Sequence, residues 1–330
     1  MGDQCLLGSH TVNRVAAIDC GTNSIRLLIS ELDAVTGTSS DVVRLMSTVR
    51  LGEGVDSTGE FSAAALERTF AVCEQYAQLI DDAHVSTLRF VATSASRDVS
   101  NRAVFVDGVQ ARLGVNPDVI TGTQEAELSF LGAVSGLPVG LIKAPALVVD
   151  IGGGSTEFVL GSTAPTHSVS VNVGCVRMTE RHLPSDPPTA DEIARVEADL
   201  DAALATAAQA VPIALARTFI GVAGSVTTIA AMALDLPFYD PEALHGAVIS
   251  RGQVEEVTER LLAMTRAERA ALPFMHAGRV DVIGGGAMVL RAIMRTFELP
   301  DVITSETDIL DGIAYRLQSQ GFNPLKPGFM

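Results

Sequence analysis

The sequence predicts an α/β protein with two similar domains that face one another across a cleft. An apolar run ending in an aspartate, then a glycine-containing polar turn, then a second apolar run occurs at residues 14–29 and again at residues 146–160. Each copy is typical of a strand, a tight turn and a second strand. One copy alone is better explained as an ordinary hairpin with a glycine-rich loop, but two copies favour a duplicated domain.

A second repeated motif supports the duplication. An apolar strand that ends in a small, hydroxyl-bearing turn occurs at residues 90–95 and 221–226. Its serine, Ser94 or Ser225, lies 75 residues after the aspartate of the first motif in both halves (94 − 19 and 225 − 150). Because ligands usually bind in clefts between domains, we expect the polar turns of both halves to face one shared cleft.

The turn at residues 150–157 has the chemistry of a phosphate and cation site. Its three glycines at 152–154 lack a Cβ, so the backbone can approach a ligand closely. Consecutive N–H groups in such a turn make a concavity that binds anions. Asp150 and Glu157 supply the oxygen ligands that a hard cation such as Mg²⁺ prefers.

The first half is predicted to alternate strands and helices. Ser62 is a good N-cap for a helix whose apolar residues recur every three or four positions. Residues 93–101 form either an anion site at a helix N-terminus or a simple cap through Ser94 or Ser96, and the sequence favours neither alternative. Strands are predicted at residues 14–29 (as a hairpin), 42–50, 88–92 and from 119, with helices after 62 and from 122.

Glu125 lies in the first turn of the helix predicted from residue 122. An acidic residue in a first turn complements the helix dipole, and the local sequence alone favours this structural role. Ser129 and Gly132, one and two turns further along, make the same helix face small, so that this face could border a cavity.

The second half repeats the pattern after a connection at 136–146. The glycines at 284–286 are interpreted as close helix packing, with an adenine-side ligand motif as the alternative. His245, a lone histidine, is more often structural than catalytic. The predicted elements are a strand pair at 146–160, strands at 168–173, 219–223 and 301–304, and helices at 191–210 (capped by Asp191), from 224, across 253–272, ending near 299 and at 308–320.

Composition limits the classes of protein that fit. A length of 330 residues and a hydrophobic content of 47% are sufficient for two domains. The formal net charge of −16 argues against nucleic acid as a partner, since such binding relies on a basic surface. We see no membrane span and no signal peptide. The four cysteines lack C-x-x-C spacing, which favours reduced thiols and a cytoplasmic location.

We predict an N-terminal domain at residues 14–135, joined by the C-terminal helix at 308–320, and a C-terminal domain at 136–307. Each domain then contains one copy of the duplicated motifs, on its own side of the cleft. The segments 1–13 and 321–330 have few core residues and are expected to be loose.

Two motifs together resemble those of the actin-like phosphotransfer superfamily: Asp19-x-Gly21-x-Asn23-Ser24 and Asp150-x-Gly152-Gly153-Gly154-Ser155-x-Glu157. This resemblance implies two ribonuclease-H-like domains that hold a phosphate chain and Mg²⁺ in a central cleft. Four further stretches are similar to the exopolyphosphatase/guanosine pentaphosphate phosphatase (Ppx/GppA) family: 50–54, 93–98, 122–128 and 279–283. The resemblance covers nearly the whole chain and implies the short, two-domain form of the family.

The resemblance also implies roles for individual residues. Glu125 matches the catalytic glutamate that activates water, which reverses the interpretation from local sequence. Asp150 and Glu157 match the acidic pair that binds Mg²⁺ and positions water, with Glu125 at the same metal. The implied phosphate-binding residues are Asp19, Gly21, Thr22, Asn23, Ser24, Arg97, Gly152, Gly153, Gly154, Ser155, Gly224 and Ser225.

Several positions depart from the usual family pattern. Cys20 and Thr22 stand where leucine or valine and serine are common, and both changes are expected to be tolerated. Gln124 stands where a second glutamate is frequent, which leaves Glu125 the only candidate base there. Residues 305–308 differ from the pattern, and no role is predicted for them.

The activity implied by the resemblance is Mg²⁺-dependent release of terminal orthophosphate from inorganic polyphosphate by a processive exopolyphosphatase. A pppGpp 5′-phosphatase would use the same residues, and the sequence does not separate the two activities. An actin-like ATP-dependent kinase is a further alternative, although a kinase places an aspartate base near a sugar pocket. Retention of Glu125, Asp150 and Glu157 argues against a non-enzymatic phosphate sensor. A homodimer is expected from the resemblance alone.

Overall fold

Two mixed β-sheets with surrounding helices form the fold. The structure is a computed structural model that describes residues 13–32, 39–97, 99–138 and 140–321. Cys5 and most of the segments predicted to be loose, 1–13 and 321–330, lie outside the described residues. None of the helices in the described ranges is long and apolar enough to cross a membrane.

The first half of the chain forms a five-stranded sheet. Its strands are β1 (Asn13–Cys20), β2 (Ser24–Leu32), β3 (Ser39–Thr48), β4 (Thr87–Ala92) and β5 (Asp118–Val119). Their order is β3-β2-β1-β4-β5. Strand β1 pairs antiparallel with β2 and parallel with β4, so the predicted hairpin lies at the centre of the sheet.

The second half forms a six-stranded sheet with the same core. Its strands are β6 (Ala146–Ile151), β7 (Thr156–Gly161), β8 (Pro165–Val171), β9 (Thr218–Val222), β10 (Val248–Ser250) and β11 (Asp301–Thr304). Their order is β10-β11-β9-β6-β7-β8. Strand β6 pairs antiparallel with β7 and parallel with β9, as β1 does with β2 and β4. The repeated topology confirms the predicted duplication.

Helices connect and cover the two sheets. They are α1 (Val55–Thr58), α2 (Ala63–Asp82), α3 (Arg102–Leu113), α4 (Gly122–Gly136), α5 (Cys175–His182), α6 (Ala190–Ala210), α7 (Ala223–Ala233), α8 (Pro241–Leu244), α9 (Arg251–Ala263), α10 (Arg266–Ala270), α11 (Ile283–Thr296) and α12 (Ile309–Gly321). As predicted, the Ser62 side chain caps α2 by accepting from the N–H of Ala65.

Some predicted boundaries were wrong. Helix α6 is capped by Thr189 rather than Asp191, because the Thr189 hydroxyl and the Glu192 carboxylate each accept from the other residue's N–H in a capping box. The helix-rich stretch predicted at 253–272 contains two helices, since Thr265 caps α10 as a new helix. Strands β3 and β8 begin three residues earlier than predicted.

Helices α4 and α12 cross in close contact. A Cβ at Gly132 would lie 1.7 Å from the carbonyl oxygen of Asp308, and a Cβ at Gly312 would lie 2.0 Å from the carbonyl oxygen of Leu128. Only glycine allows the two backbones to approach this closely. At Gly132 the small face of α4 therefore packs against a helix.

These two helices link the sheets. The buried residues Ile309, Ile313 and Leu317 of α12 pack with Val15 and Ala17 of β1. The opposite face of α4, which includes buried Phe130, packs on β6 and β7 of the second sheet. The domain limits proposed from the sequence, which assign α4 to the first domain, remain a prediction.

The glycines that open α11 allow close helix packing. A Cβ at Gly285 would lie 2.8 Å from the carbonyl oxygen of Cys175 in α5. A Cβ at Gly286 would lie 2.4 Å from Oγ of Ser225 in α7. The interpretation of this segment as a packing feature is therefore confirmed.

Candidate active site

A cleft between the two sheets brings together most of the predicted site residues. It lies at the carboxyl ends of β1, β4, β6 and β9 and encloses about 860 Å³, part of it open to solvent. The predicted residues that line it are Asp19, Gly21, Thr22, Asn23, Ser24, Glu125, Asp150, Gly152, Gly153, Gly224 and Ser225. Four other predicted residues, Arg97, Gly154, Ser155 and Glu157, lie behind this lining.

The two glycine turns share one backbone geometry. The N–H of Gly21 donates to the carbonyl of Ser24 at 2.9 Å, and the N–H of Gly152 donates to the carbonyl of Ser155 at 3.0 Å. A Cβ at Gly152 would lie 3.0 Å from that same carbonyl oxygen, so a side chain would crowd the turn. The two phosphate loops predicted from the sequence are thus structural equivalents.

The two turns also contact each other. A Cβ at Gly153 would lie 2.9 Å from Cβ of Thr22, and a Cβ at Gly154 would lie 2.7 Å from Thr22 Oγ1. Thr22 Oγ1 in turn lies 3.0 Å from Ser94 Oγ, within hydrogen-bond distance. Ser94 therefore belongs to the cleft and does not cap α3, whose N-cap residue is Asn101.

Equivalent positions on the two central strand pairs carry different charges. Asp19 lies opposite Arg26 in the first sheet, and Asp150 lies opposite Glu157 in the second. Opposite charges stabilise a cross-strand pair, whereas like charges destabilise it. The second pair thus reduces the stability of the fold, which is typical of residues that serve function.

Arg26 is a cleft residue that the sequence analysis missed. Its guanidinium donates to Asp19 Oδ2 from Nε at 3.0 Å and from Nη2 at 2.7 Å, and its Nη1 donates to Asp308. Asp308 directly precedes α12, in the segment 305–308 that had no predicted role. Arg26 therefore connects the first predicted phosphate loop to the start of α12.

Asp19 is a buried carboxyl group despite this pairing. Burial raises its pKa, although Arg26 opposes the shift, and its Oδ1 is buried without a hydrogen-bond partner.

Asp150 is a buried carboxyl group held by α4. The hydroxyl of Ser129 donates to its Oδ2 at 2.5 Å. Burial, followed by the nearby charge of Glu157, raises the pKa of Asp150 to about 8, and the Ser129 hydrogen bond opposes this shift. A cation in the cleft would offset both causes.

Glu157 lies behind the second turn and has no solvent exposure (0%). The hydroxyls of Ser155 and Ser170 donate to its Oε1 at 2.7 and 2.6 Å. Its Oε2 is buried without a partner, and burial raises the pKa of the carboxyl group. Glu157 thus has one buried carboxylate oxygen without a hydrogen-bond partner, behind the cleft lining.

Glu125 projects into the cleft from the first turn of α4. Arg97 Nη1 donates to its Oε2 at 2.6 Å, and Arg97 Nη2 donates to Ser155 Oγ at 3.3 Å. Burial and the charge of Glu157 raise the pKa of Glu125 well above its ordinary value, although Arg97 opposes the shift. A carboxylate with a raised pKa is a stronger base at neutral pH.

The carboxyl groups are suited to a cation that is also bound by substrate. The described residues contain no cluster of three or more His, Cys, Asp or Glu side chains that could hold a metal ion alone. Mg²⁺ does not need one, since it usually binds one or two carboxylates together with phosphate oxygens and water. The unpartnered oxygens of Asp19 and Glu157 and the raised pKa of Asp150 fit such a cation.

Arg279 adds a second arginine that had no predicted site role. Its guanidinium lies 5.5 Å from the ring centroid of Tyr239, and its Nη1 donates to Thr228 Oγ1 at 2.9 Å. A Cβ at Gly224 would lie 2.5 Å from the guanidinium carbon, which explains the glycine there. Arg279 lines the cleft, and none of the carboxylates in the described part of the chain lies within ion-pair distance of it.

Comparisons with known proteins agree with this architecture. A relative from Mycobacterium tuberculosis named Exopolyphosphatase 2 is 48% identical over 93% of this chain and 99% of its own length. The crystal structure of an exopolyphosphatase-like protein, 42% identical, matches with a TM-score of 0.90 over 94% of this chain and 100% of that chain. An exopolyphosphatase structure from Cytophaga hutchinsonii, 26% identical, matches with a TM-score of 0.85 over 93% of this chain and 98% of that chain.

A family-level match covers most of the chain. The sequence profile of the Ppx/GppA phosphatase family matches residues 28–320. Together with the relative that is 48% identical, it confirms the predicted family and its two-domain, actin-like fold. The chain therefore belongs to the Ppx/GppA phosphatase family.

Proposed function

We propose that this protein is an exopolyphosphatase, which hydrolyses the terminal phosphoanhydride bond of inorganic polyphosphate and releases orthophosphate. The nearly full-length similarity to a relative named Exopolyphosphatase 2 supports this substrate. The observation that carries the proposal is that the buried carboxyl groups of Glu125 and Asp150 meet both glycine turns in one cleft.

Glu125 is the proposed general base. Its carboxylate takes a proton from the water that attacks the terminal phosphorus, and the bond to the bridging oxygen breaks with its electrons on the shortened chain. Because Arg97 occupies Oε2, Oε1 is the oxygen left for this water. The N–H groups of Gly21 and Gly152 bond within the turns, so other N–H groups of the two turns donate to the phosphate oxygens. Phosphoryl transfer depends mainly on such positioning and electrostatics.

Mg²⁺ is the proposed cofactor. Asp150 in the cleft wall would hold it, with Glu157 and Glu125 beside it, and bound Mg²⁺ would neutralise charge on the phosphate oxygens. A cation would also lower the raised pKa values of these carboxyl groups, so that they are ionised when substrate is bound.

A neighbouring cavity extends the cleft toward one further arginine, Arg44. It is lined in part by Arg26, Arg44 and Arg279, and it shares Arg26, Met46 and Arg279 with the cleft. Arginine is the side chain best suited to paired contacts with phosphate oxygens. We propose that the polyphosphate chain, with its end between the two turns, continues into this cavity.

A pppGpp 5′-phosphatase is the second candidate. An apolar recess next to Arg279, lined in part by Met46, Tyr239 and Phe274, offers the kind of surface on which a purine base stacks. The catalytic residues would be unchanged, so only a comparison of substrates separates the two activities.

Phosphate release by the purified protein tests the proposal. Long-chain polyphosphate, pppGpp and ATP are compared in parallel with Mg²⁺, each with and without EDTA. We expect Mg²⁺-dependent release from polyphosphate without comparable release from pppGpp. A preference for pppGpp would assign the second activity, and ATP consumption only with an added sugar or acid would indicate a kinase.

A homodimer and a cytoplasmic location also remain predictions. The homodimer is expected only from the family resemblance, and the location from the four cysteines without C-x-x-C spacing. Light scattering of the purified protein in solution tests the first, and fractionation of cells tests the second.

A further inference from the structure

A second cavity adjoins the catalytic cleft on the other side of the phosphate loops. It encloses about 820 Å³, part of it open to solvent, and its lining includes Val55, Asn172 and Arg177. Thr22 and Ser94 line both this cavity and the cleft. The two spaces are therefore separated by the thickness of single side chains.

The partition between them consists of Thr22, Ser94 and Gly154. The hydroxyl oxygens of Thr22 and Ser94 lie 3.0 Å apart in one hydrogen bond. A Cβ at Gly154 would lie 2.7 Å from the first hydroxyl and 3.0 Å from the second, so any larger residue would fill the junction. These two hydroxyls separate when the short side chains of Thr22 and Ser94 rotate about χ1, without a backbone movement.

The cavity leads to solvent and does not form a tight anion site. Asp56, Asn172 and Glu180 are exposed at its mouth. Within it, Arg177 Nε donates to the carbonyl of Gly154 at 2.7 Å, and its Nη1 is paired with Asp56. One guanidinium already shared with a carboxylate gives an anion a transient contact. Asp56 is paired with both Arg177 and Arg181, so among the described residues of this lining it is Glu180 that carries negative charge without an ion pair and disfavours rebinding of the anion.

A processive exopolyphosphatase needs a separate way out for its product. After each cleavage, orthophosphate lies between the glycine turns while the shortened chain still occupies the cleft toward Arg26 and Arg279. The cavity on the chain side and the cavity behind Thr22 share no lining residue. Within the buried part of the cleft, orthophosphate therefore meets the bound chain on one side and the hydroxyl pair on the other.

We propose that orthophosphate leaves through the cavity behind Thr22 and Ser94, which we call the exit cavity, while the chain remains bound. This inference rests on the proposed exopolyphosphatase activity. The exit cavity then determines processivity, because it lets the product depart without dissociation of the chain.

Bulky substitutions that narrow the exit cavity test the proposal. Val55→Trp places an indole in the lining of the exit cavity, and Asn172→Trp places one at its mouth. Neither residue lies in the catalytic cleft. Val104→Trp, at a residue that is 53% exposed on α3, is the matched control. In a single-turnover experiment, rapid acid quench measures bond cleavage, and a fluorescent phosphate-binding protein measures free orthophosphate.

We expect Val55→Trp to cleave polyphosphate at the wild-type rate, because the residue lies outside the catalytic cleft. It should release orthophosphate at least about tenfold more slowly, because the indole narrows the exit cavity, and product release often limits turnover. Gel analysis should also show intermediate chain lengths, because orthophosphate then leaves through the catalytic cleft after the chain has dissociated. Asn172→Trp should act in the same direction, and Val104→Trp should match the wild type.

Wild-type release and processivity in both exit-cavity variants would overturn the proposal. Asn172 is exposed, so its variant keeps the test valid if Val55→Trp does not fold. Failure of the wild-type protein to cleave polyphosphate at all would instead refute the proposed function. The two failures are therefore distinguishable.

Discussion

Replacement of Glu125 by glutamine tests the proposed mechanism at its centre. The side chain is only 7% exposed, and its Oε2 accepts from Arg97 at 2.6 Å. Glutamine has the same shape and retains an oxygen acceptor for that bond, but it cannot take a proton from water. Loss of a general base lowers the rate by a factor of roughly 10² to 10⁴. This corresponds to about 3 to 5 kcal/mol in the activation barrier.

The fold should tolerate this change. Glu125→Gln removes an ion pair with Arg97, but it also removes a buried carboxyl group whose pKa is raised by burial and by the nearby charge of Glu157. We therefore expect little change in the free energy of unfolding and in KM, with the loss confined to kcat. The assay is steady-state phosphate release from polyphosphate with Mg²⁺, beside thermal unfolding of the same preparations.

The matched control is Glu127→Gln on the same helix. Glu127 is 39% exposed as a side chain and pairs with Arg316 at 3.2 Å. A surface pair of this kind contributes about 0 to 1 kcal/mol, so this variant should keep the wild-type kcat. Wild-type kcat in Glu125→Gln would refute the assignment of the base. A large loss of thermal stability in that variant would show that Glu125 is structural.

The same residue predicts the pH dependence of the reaction. Because burial raises the pKa of Glu125, its carboxyl group keeps its proton to a higher pH than an ordinary glutamate. The base is active only when ionised, so kcat/KM should rise with pH above the usual carboxylate range. This rise should be absent from the residual activity of Glu125→Gln. A wild-type rate that is constant from pH 5 to 9 would contradict the argument.

Three further predictions concern stability and positioning. Burial raises the pKa of Asp150 to about 8, so the stability that its proton gives the folded state is present below the unfolded pKa and is lost as pH rises to about 8. Asparagine has no charge to bury, so without divalent cations Asp150→Asn should raise the free energy of unfolding by about 1 to 3 kcal/mol at pH 8.5 and by less at pH 5. Unfolding in urea measures both values. Gly132→Ala should lower it by about 1 to 3 kcal/mol or more, because the new Cβ meets a carbonyl oxygen of α12, whereas Gly252→Ala, with no atom closer than 3.9 Å, should be neutral or stabilising. Arg26→Gln, which loses both carboxylate partners, should raise KM for polyphosphate more than it lowers kcat, and an unchanged KM would show that Arg26 does not position the first phosphate loop.

Features that depend on neighbouring residues in the chain were predictable. The two glycine turns, the strands before them and the helix that begins at Gly122 are encoded locally, by apolar runs, glycines and caps. The capping box at Thr189 and Glu192 was also present in the sequence as Thr-x-x-Glu, but the prediction placed the cap at Asp191 instead. Here the signal existed and was overlooked.

Partners far apart in the chain were not predictable in the same way. The register of β1 against β2 places Arg26 opposite Asp19, and the chain then brings Asp308, 282 residues from Arg26, to the same guanidinium. The hydrogen bond from Ser129 to Asp150 likewise depends on how α4 packs on the second sheet. No local pattern distinguishes these side chains from ordinary surface or core residues.

The sequence by itself determined the α/β class, the duplication, the two glycine turns and the positions of the acidic residues beside them, because each depends on short-range backbone preferences and on motif spacing. Only the tertiary structure decided which carboxyl groups face the cleft, which arginines neutralise them and where the cleft opens. Those features follow from strand register, from the glycine-to-backbone contact of α4 with α12 and from burial, which sets the pKa of each carboxyl group through the distances between residues remote in the chain.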